Sequence, residues 1–304
     1  MQASNLSLDL AMALDPSELA RQTGLEPDSW QAQALRSDVP RILLNCSRQS
    51  GKSTIAALLA VHATIYQPNS LVLLLSPSLR QSQELFKKAH DAHAALTDPV
   101  AIEAESALRL KLTNGSRILS LPGKEHTVRG YSGVRLLIVD EAARVPDDLY
   151  FAVRPMRVLR RVNPHLYRRP SAPLAALRLL DIVHYACVAA PCQRRGLLAD
   201  RGTDLRVAAL AVSNGRLIGL STPFGTRGWW YEAWKSEEPW ERYEVPASQC
   251  PRISEEFLEE ERRSMGEWWF AQEYECRFLD SETQPFGRED VDRAFTEEVE
   301  PWDL

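Results

Sequence analysis

Short apolar runs alternate with longer stretches of helical periodicity along this chain. Arg41-Ile-Leu-Leu-Asn-Cys46 and Leu71 to Leu75 have the length and composition of buried strands. Arg135 to Val139 and Arg216 to Leu220 are two more. Lys52 to Tyr66 places Ile55, Leu58, Leu59 and His62 at helical spacing, and Pro68-Asn69 ends that helix. Ser78 to Ala95 predicts a second helix, carrying Leu85 and Phe86. Ala107 to Thr113 and Ser116 to Leu121 flank Asn114-Gly115, a pair that accepts the backbone of a tight hairpin turn. Asp147 to Val153 begins a further helix. Residues 1–40 read as polar and turn-rich, with one short helix around Pro16 to Thr23. Strands alternating with helices predict an α/β fold: a mainly parallel sheet with helices on both faces. No internal repeat is visible.

Composition narrows the class. The 304 residues are 44% hydrophobic and 25% charged, as in a folded globular protein rather than a disordered one. No run of 18 apolar residues predicts a membrane span, and the N-terminus has no signal-peptide pattern. Five cysteines (Cys46, Cys187, Cys192, Cys250, Cys276) are scattered, with no CxxC pair, so free thiols in a reducing cytoplasm are expected. The net charge of -5 conceals an asymmetry: residues 157–209 hold ten arginines, three aspartates, no lysine and no glutamate. Any nucleic-acid contact is therefore local rather than a property of the whole chain.

The candidate chemistry lies at two strand ends. Cys46-Ser-Arg-Gln-Ser-Gly51-Lys52-Ser53 sits between a predicted strand and a predicted helix, the context of a phosphate-binding loop. In such a loop backbone N–H groups would cradle a β-phosphate, Lys52 would reach the β- and γ-phosphates, and the Ser53 hydroxyl would hold Mg²⁺. Cys46 stands where such loops usually have their first glycine. Leu136-Leu-Ile-Val-Asp140-Glu141 ends a strand on two carboxylates. Asp140 is placed to bind Mg²⁺ through water and Glu141 to polarise the attacking water. Together the two motifs predict an ATPase.

Their order, with several companions, resembles the ATPase domain of tailed-phage terminase large subunits, the motors that package DNA into procapsids. The residues that carry it are Trp30-Gln31, the run Ser47 to Thr54, Leu75-Ser76-Pro77 with Gln81, Arg129-Gly130-Tyr131-Ser132-Gly133, Val139-Asp140-Glu141-Ala142-Ala143, Gly219 to Gly225, Glu273-Tyr274 and Phe278-Leu279-Asp280. The resemblance covers roughly residues 25–156 and 210–295. It implies a P-loop NTPase fold of the RecA/ASCE type, hydrolysing ATP with Mg²⁺. It implies a nucleotide site of Gln31 and Cys46, Ser47, Arg48, Gln49, Ser50, Gly51, Lys52, Ser53 and Thr54. Within it, Gln31 would contact adenine, with Gln33 a nearby competitor. Arg48 would stabilise charge on the γ-phosphate; the plainer reading is a pair with a neighbouring carboxylate. Ser221 and Thr222 would sense the γ-phosphate beside the strand of Asp140 and relay hydrolysis to the DNA grip. The implied partners are double-stranded DNA, a small terminase subunit and a portal protein, with a homo-oligomeric ring in the host cytoplasm and no membrane.

The expected organisation is an N-terminal segment (1–40) with adenine-side contacts, an ATPase domain (41–156 and 210–250), an arginine-rich insertion (157–209) and a helical linker (251–304). A nuclease domain, usual in this family, is not expected after it. Asp140 and Ser221 are 81 residues apart, whereas strands joined by one helix need about 30 residues. Two rival readings remain: a superfamily 2 helicase-like ATPase, which needs a second domain of roughly 150 residues, and an inactive prophage remnant. Trp229-Trp230 and Trp268-Trp269 are expected in core or subunit packing. Lys87-Lys88 and Arg262-Arg263 are expected to be solvated, and His62 and His126 lack partners at ligand spacing.

Overall fold

A computed structural model describes residues 2–123, 131, 133–153 and 215–280. Arg157 to Ala209, His126, Cys187 and Cys192 lie outside the described residues.

The predicted strands are present: β1 (Arg41–Cys46), β2 (Leu71–Ser76), β4 (Arg109–Leu112), β5 (Arg117–Pro122), β6 (Val134–Asp140) and β7 (Arg216–Ser221). Two more complete an eight-stranded sheet of order β3-β4-β5-β2-β6-β7-β1-β8. They are β3 (Ile102–Ser106) and β8 (Glu241–Val245). Strands β5 to β8 in that order are parallel, and β3, β4 and β5 pair antiparallel. Neither added strand reads as one in the sequence. β3 is exposed at every position and β8 buries only Val245, so neither needs an apolar run. Both are edge strands, where one partner suffices.

Alternating side chains divide the core in two. Ile42, Leu44, Val72, Leu74, Leu136, Ile138, Ile218 and Leu220 face one cluster. It is covered by helices from the N-terminal half, including α4 (Lys52–Tyr66) and α5 (Leu79–Ala94). Leu43, Leu73, Leu75, Leu137, Val139 and Leu217 face the other. There α6 (Asp147–Val153) and α7 (Gly228–Lys235) supply Tyr150, Trp229 and Trp230. Each fully buried leucine contributes about 1.5–3 kcal/mol.

Residues 1–40 differ from expectation. They form three helices: α1 (Gln2–Leu14), α2 (Pro16–Gln22) and α3 (Ser29–Arg36). Along α1, Leu6 and Leu10 are exposed while Met12 is buried, so the apolar stripe that signals a helix is weak. α2 has Pro16 in its first turn, and the Asp15 carboxylate accepts the Ser17 N–H at 2.9 Å.

The tryptophan pairs separate. Trp229 and Trp230 are core residues, and Trp229 stacks on Tyr150 with ring centres 3.9 Å apart. A Cβ at Gly219 of β7 would come within 2.7 Å of the Trp230 ring, so glycine there lets α7 lie against the sheet. Trp269, in contrast, is 45% exposed. It belongs to α9 (Glu267–Glu273), which follows α8 (Glu255–Met265). Arg262 is not merely solvated: it pairs with Glu267 and Glu275 and lies over the Phe270 ring. Lys87 and Lys88 are exposed.

Candidate active site

The parallel sheet brings the carboxyl ends of β1, β6 and β7 side by side. Cys46 is the last residue of β1, and its side chain is buried in the core. That position lies within the strand, so it needs no glycine backbone, and burial pushes the Cys46 thiol up. The loop then turns sharply: Gln49 and Gly51 adopt positive φ, at 59° and 87°. The Ser50 hydroxyl donates to the Ser47 carbonyl at 2.9 Å and closes the loop on itself. Gly51 begins α4 with no side-chain cap, which leaves first-turn N–H groups for an anion. Lys52 is buried, and its Nζ donates to the Ser47 carbonyl across 3.4 Å. Ser53 and Thr54 follow in the first turn, half-buried.

Asp140 ends β6 and is 6% exposed. Its Oδ1 is buried without a hydrogen-bond partner. Burial, then the neighbouring Glu141 charge, push its carboxyl up to about 6, and Lys52 opposes them. The residues present fit a hard divalent ion: Asp140 offers a buried acceptor oxygen without a hydrogen bond, and Ser53 offers a hydroxyl in the first turn of α4. Glu141 has a positive φ of 48°, uncommon for a residue with a side chain. Ser221 and Thr222 are buried at the end of β7, next to β6. The Ser221 hydroxyl accepts the Ala143 N–H at 3.2 Å.

Arg48 makes the pair that its plainer reading anticipates. Its Nε–H donates to Glu273 Oε2 at 2.8 Å, and its backbone N–H donates to the Glu273 carbonyl at 3.0 Å. Glu273 itself is buried. Gln31 is buried and occupied at both ends of its amide. Its Oε1 accepts the Asp28 N–H at 2.9 Å, and its Nε2 donates to the Ser50 carbonyl at 3.0 Å. Gln33 is exposed. A Cβ at Gly51 would come within 2.8 Å of that Nε2.

Three residues of this site escaped the sequence reading. Arg252 pairs with Asp28 and donates to the Ser50 carbonyl at 3.2 Å, from 202 positions away, so no local signal marks it. Arg144 lies three residues past Glu141, a spacing visible in the sequence. Glu273 carried a resemblance but no role.

Residues 43–172 match the family described as terminase large subunit, T4likevirus-type, N-terminal. The fold is similar to that of the Thermus phage P74-26 large terminase ATPase domain. Identity there is 20% over 88% of this chain and 100% of that one, with a TM-score of 0.59. The bacteriophage HK97 large terminase aligns at 15% identity over 84% of this chain and 51% of its own, TM-score 0.52. A large terminase from a thermophilic bacteriophage, solved in complex with ADP, aligns at 10% identity over 86% of this chain and 53% of its own, TM-score 0.52. The resemblance to terminase large subunits is thereby shown, and the α/β fold is that of their ATPase domains. No helix among the described residues is long and apolar enough to cross a membrane.

Proposed function

We propose that the chain hydrolyses ATP and couples hydrolysis to movement of double-stranded DNA, as the ATPase part of a packaging motor. The observation that carries this reading is the meeting of the uncapped α4 N-terminus, the buried Lys52 and the unsatisfied Asp140 Oδ1 at the carboxyl ends of the central strands. Positive charge on one side and carboxylates on the other suit a nucleoside triphosphate.

In this reading the loop from Ser47 to Thr54 binds the phosphates through its N–H groups, and Lys52 neutralises the β- and γ-oxygens. Ser53 and Asp140 would hold Mg²⁺, which when bound would screen phosphate charge. Glu141 orients a water and takes its proton as the water attacks the γ-phosphorus, and ADP and phosphate leave. Arg48 must exchange the Glu273 carboxylate for a γ-phosphate oxygen to act there. Gln31 fixes the loop through Ser50, and any contact with the base would use what its amide has left after the bonds to Asp28 and Ser50. Ser221 and Thr222 connect the site to the DNA-moving parts. A small terminase subunit, a portal protein and a ring of copies in the host cytoplasm are the partners and setting that this function requires.

The test is ATP turnover by the purified chain with Mg²⁺, with and without duplex DNA. Turnover that rises with DNA is expected. Tight ATP binding without turnover under either condition overturns the reading.

A further inference from the structure

We propose that Arg144 is a positioning residue: it ties the direction of the Glu141 carboxylate to the segment after β7, through the ring of Phe224. The inference rests on reading Glu141 as the base of ATP hydrolysis.

The turn that carries Glu141 is fastened to the end of β7 at two points. The first is the Ser221 hydroxyl, which accepts the Ala143 N–H at 3.2 Å. The second is Arg144, whose guanidinium carbon lies 4.4 Å from the centre of the Phe224 ring. Arg144 is fixed at its backbone, where its N–H donates to the Glu141 carbonyl at 2.8 Å. Its side chain then returns towards two carboxylates. Nε is 3.9 Å from Glu141 Oε2, and Nη2 is 3.7 Å from Glu273 Oε1.

Both carboxylates lie beyond hydrogen-bond length, so charge attracts the guanidinium without a directed bond choosing between them. The plane of the guanidinium is set by what it stacks on, and that is Phe224. Phe224 is three residues past Ser221, on the segment expected to respond to the γ-phosphate. A shift of that segment carries the ring, the ring carries the guanidinium, and the guanidinium redirects the Glu141 carboxylate. The link works in both directions, since a coupling between two sites is reciprocal. The positive φ of Glu141 leaves its side chain on a short turn whose direction depends on such outside contacts.

The experiment is a double-mutant cycle on the full chain, reading kcat and KM for ATP in Arg144→Ala, Phe224→Leu and the double variant. Two conservative variants, Phe224→Tyr and Arg144→Lys, complete the set. Loss of Arg144 should lower kcat on the order of tenfold with KM within about twofold, because misplacing a catalytic group slows chemistry more than binding. Phe224→Leu should lower kcat in the same direction, the double variant should be no slower than Arg144→Ala, and Phe224→Tyr should restore the wild-type rate. Arg144→Lys keeps the charge but loses the planar stack, so it should remain slow. Multiplicative losses in the double variant, or unchanged kcat in Arg144→Ala, overturn the proposal. Amide hydrogen exchange of residues 142–144 gives a readout independent of turnover. Phe224→Leu should speed it and Phe224→Tyr should not; equal exchange in both overturns the tie. A wild-type chain that does not hydrolyse ATP but shows the exchange difference refutes the ATPase reading and leaves the mechanical tie standing.

Discussion

Arg48 of the phosphate loop and Glu273 of α9 are joined twice, once through side chains at 2.8 Å and once through backbones at 3.0 Å. A residue 225 positions away thus holds the group that faces the candidate nucleotide. Glu273→Gln keeps the shape of the contact and removes its charge. Arg48 is more than half exposed, so the pair contributes under about 1 kcal/mol to stability. Binding ATP then no longer requires giving up that pair. The expected outcome is an ATP Kd lowered by up to roughly fivefold, with little change in melting temperature. Titration calorimetry checks it, and weaker binding in the variant contradicts it.

Lys52 and Glu141 should fail in different ways. Lys52→Ala removes a buried charge from the phosphate side and should abolish most nucleotide binding. Glu141→Gln keeps the size of the side chain and loses the base, so ATP should bind and persist uncleaved. Filter binding beside phosphate release separates the two. Equal loss of binding in both variants would refute these roles.

Gln31 is as much a structural residue as a reader of bases. Replacing it by Ala leaves the Asp28 N–H without its acceptor and the Ser50 carbonyl with Arg252 as its remaining side-chain donor. Loss of a helix-end contact of this kind costs about 1 kcal/mol. Gln31→Ala should therefore lower the melting temperature measurably as well as weaken ATP binding. A variant with native stability and altered preference for ATP over GTP would show that base reading is its main role.

His62 makes stability depend on pH. Its Nε2 hydrogen-bonds with the Met12 carbonyl at 3.0 Å, and burial pushes its pKa down to about 4 against the backbone hydrogen bonds to Met12 and Ala13, with Arg216 pushing down and Asp15 opposing more weakly. The folded state binds the proton less well than the unfolded one. This contribution is complete above about pH 6.5 and is lost as pH falls towards 4, up to roughly 3 kcal/mol. Denaturant midpoints at pH 7 and pH 5 should therefore drop less in His62→Gln than in the wild type. Parallel drops would refute the assignment.

The connection between β6 and β7 offers a further test. The two strands pair directly, Leu136 with Arg216 through Asp140 with Leu220. Joining Met156 to Leu210 puts Ser221 28 positions after Asp140, enough for one helical crossover of about 30 residues. Closure of a loop depends only logarithmically on its length. The shortened chain should be at least as stable and should keep its ATP turnover. Failure to fold would place residues 157–209 in the core.

Local chemistry made the centre of the sheet legible. β1, β2, β6 and β7 are buried on both faces, so each reads as an apolar run, and Gly51-Lys52-Ser53 and Asp140-Glu141 sit at their ends. The edges were not legible, because Glu103 and Glu105 are exposed and ion-paired on β3 while Glu241 of β8 accepts hydrogen bonds from the Ser37 and Tyr243 hydroxyls, so neither strand shows an apolar run. Nor were the side chains that brace the phosphate loop from behind. Arg252 and Glu273 reach the phosphate loop from beyond β8, and only the closed fold shows which carboxylate meets which arginine. Gln31 shows the limit most plainly, because its identity pointed to the base while its hydrogen bonds run to Asp28 and Ser50.

The stack of Tyr150 on Trp229 has a spectroscopic consequence. Tyr150 lies nine residues past Glu141 and Trp229 seven past Thr222, so the two rings join the segments that leave the two halves of the site. The Trp229 indole N–H also donates to the Val145 carbonyl at 3.2 Å, which fixes the dipole of a buried fluorophore. Any sliding of one segment past the other changes the overlap of the rings and therefore the emission of Trp229. Trp30, Trp230 and Trp240 are buried as well, so the difference between the wild type and Trp229→Phe isolates the Trp229 signal. The fold thus carries an intrinsic optical gauge of motion at the site, readable in stopped flow without an added label.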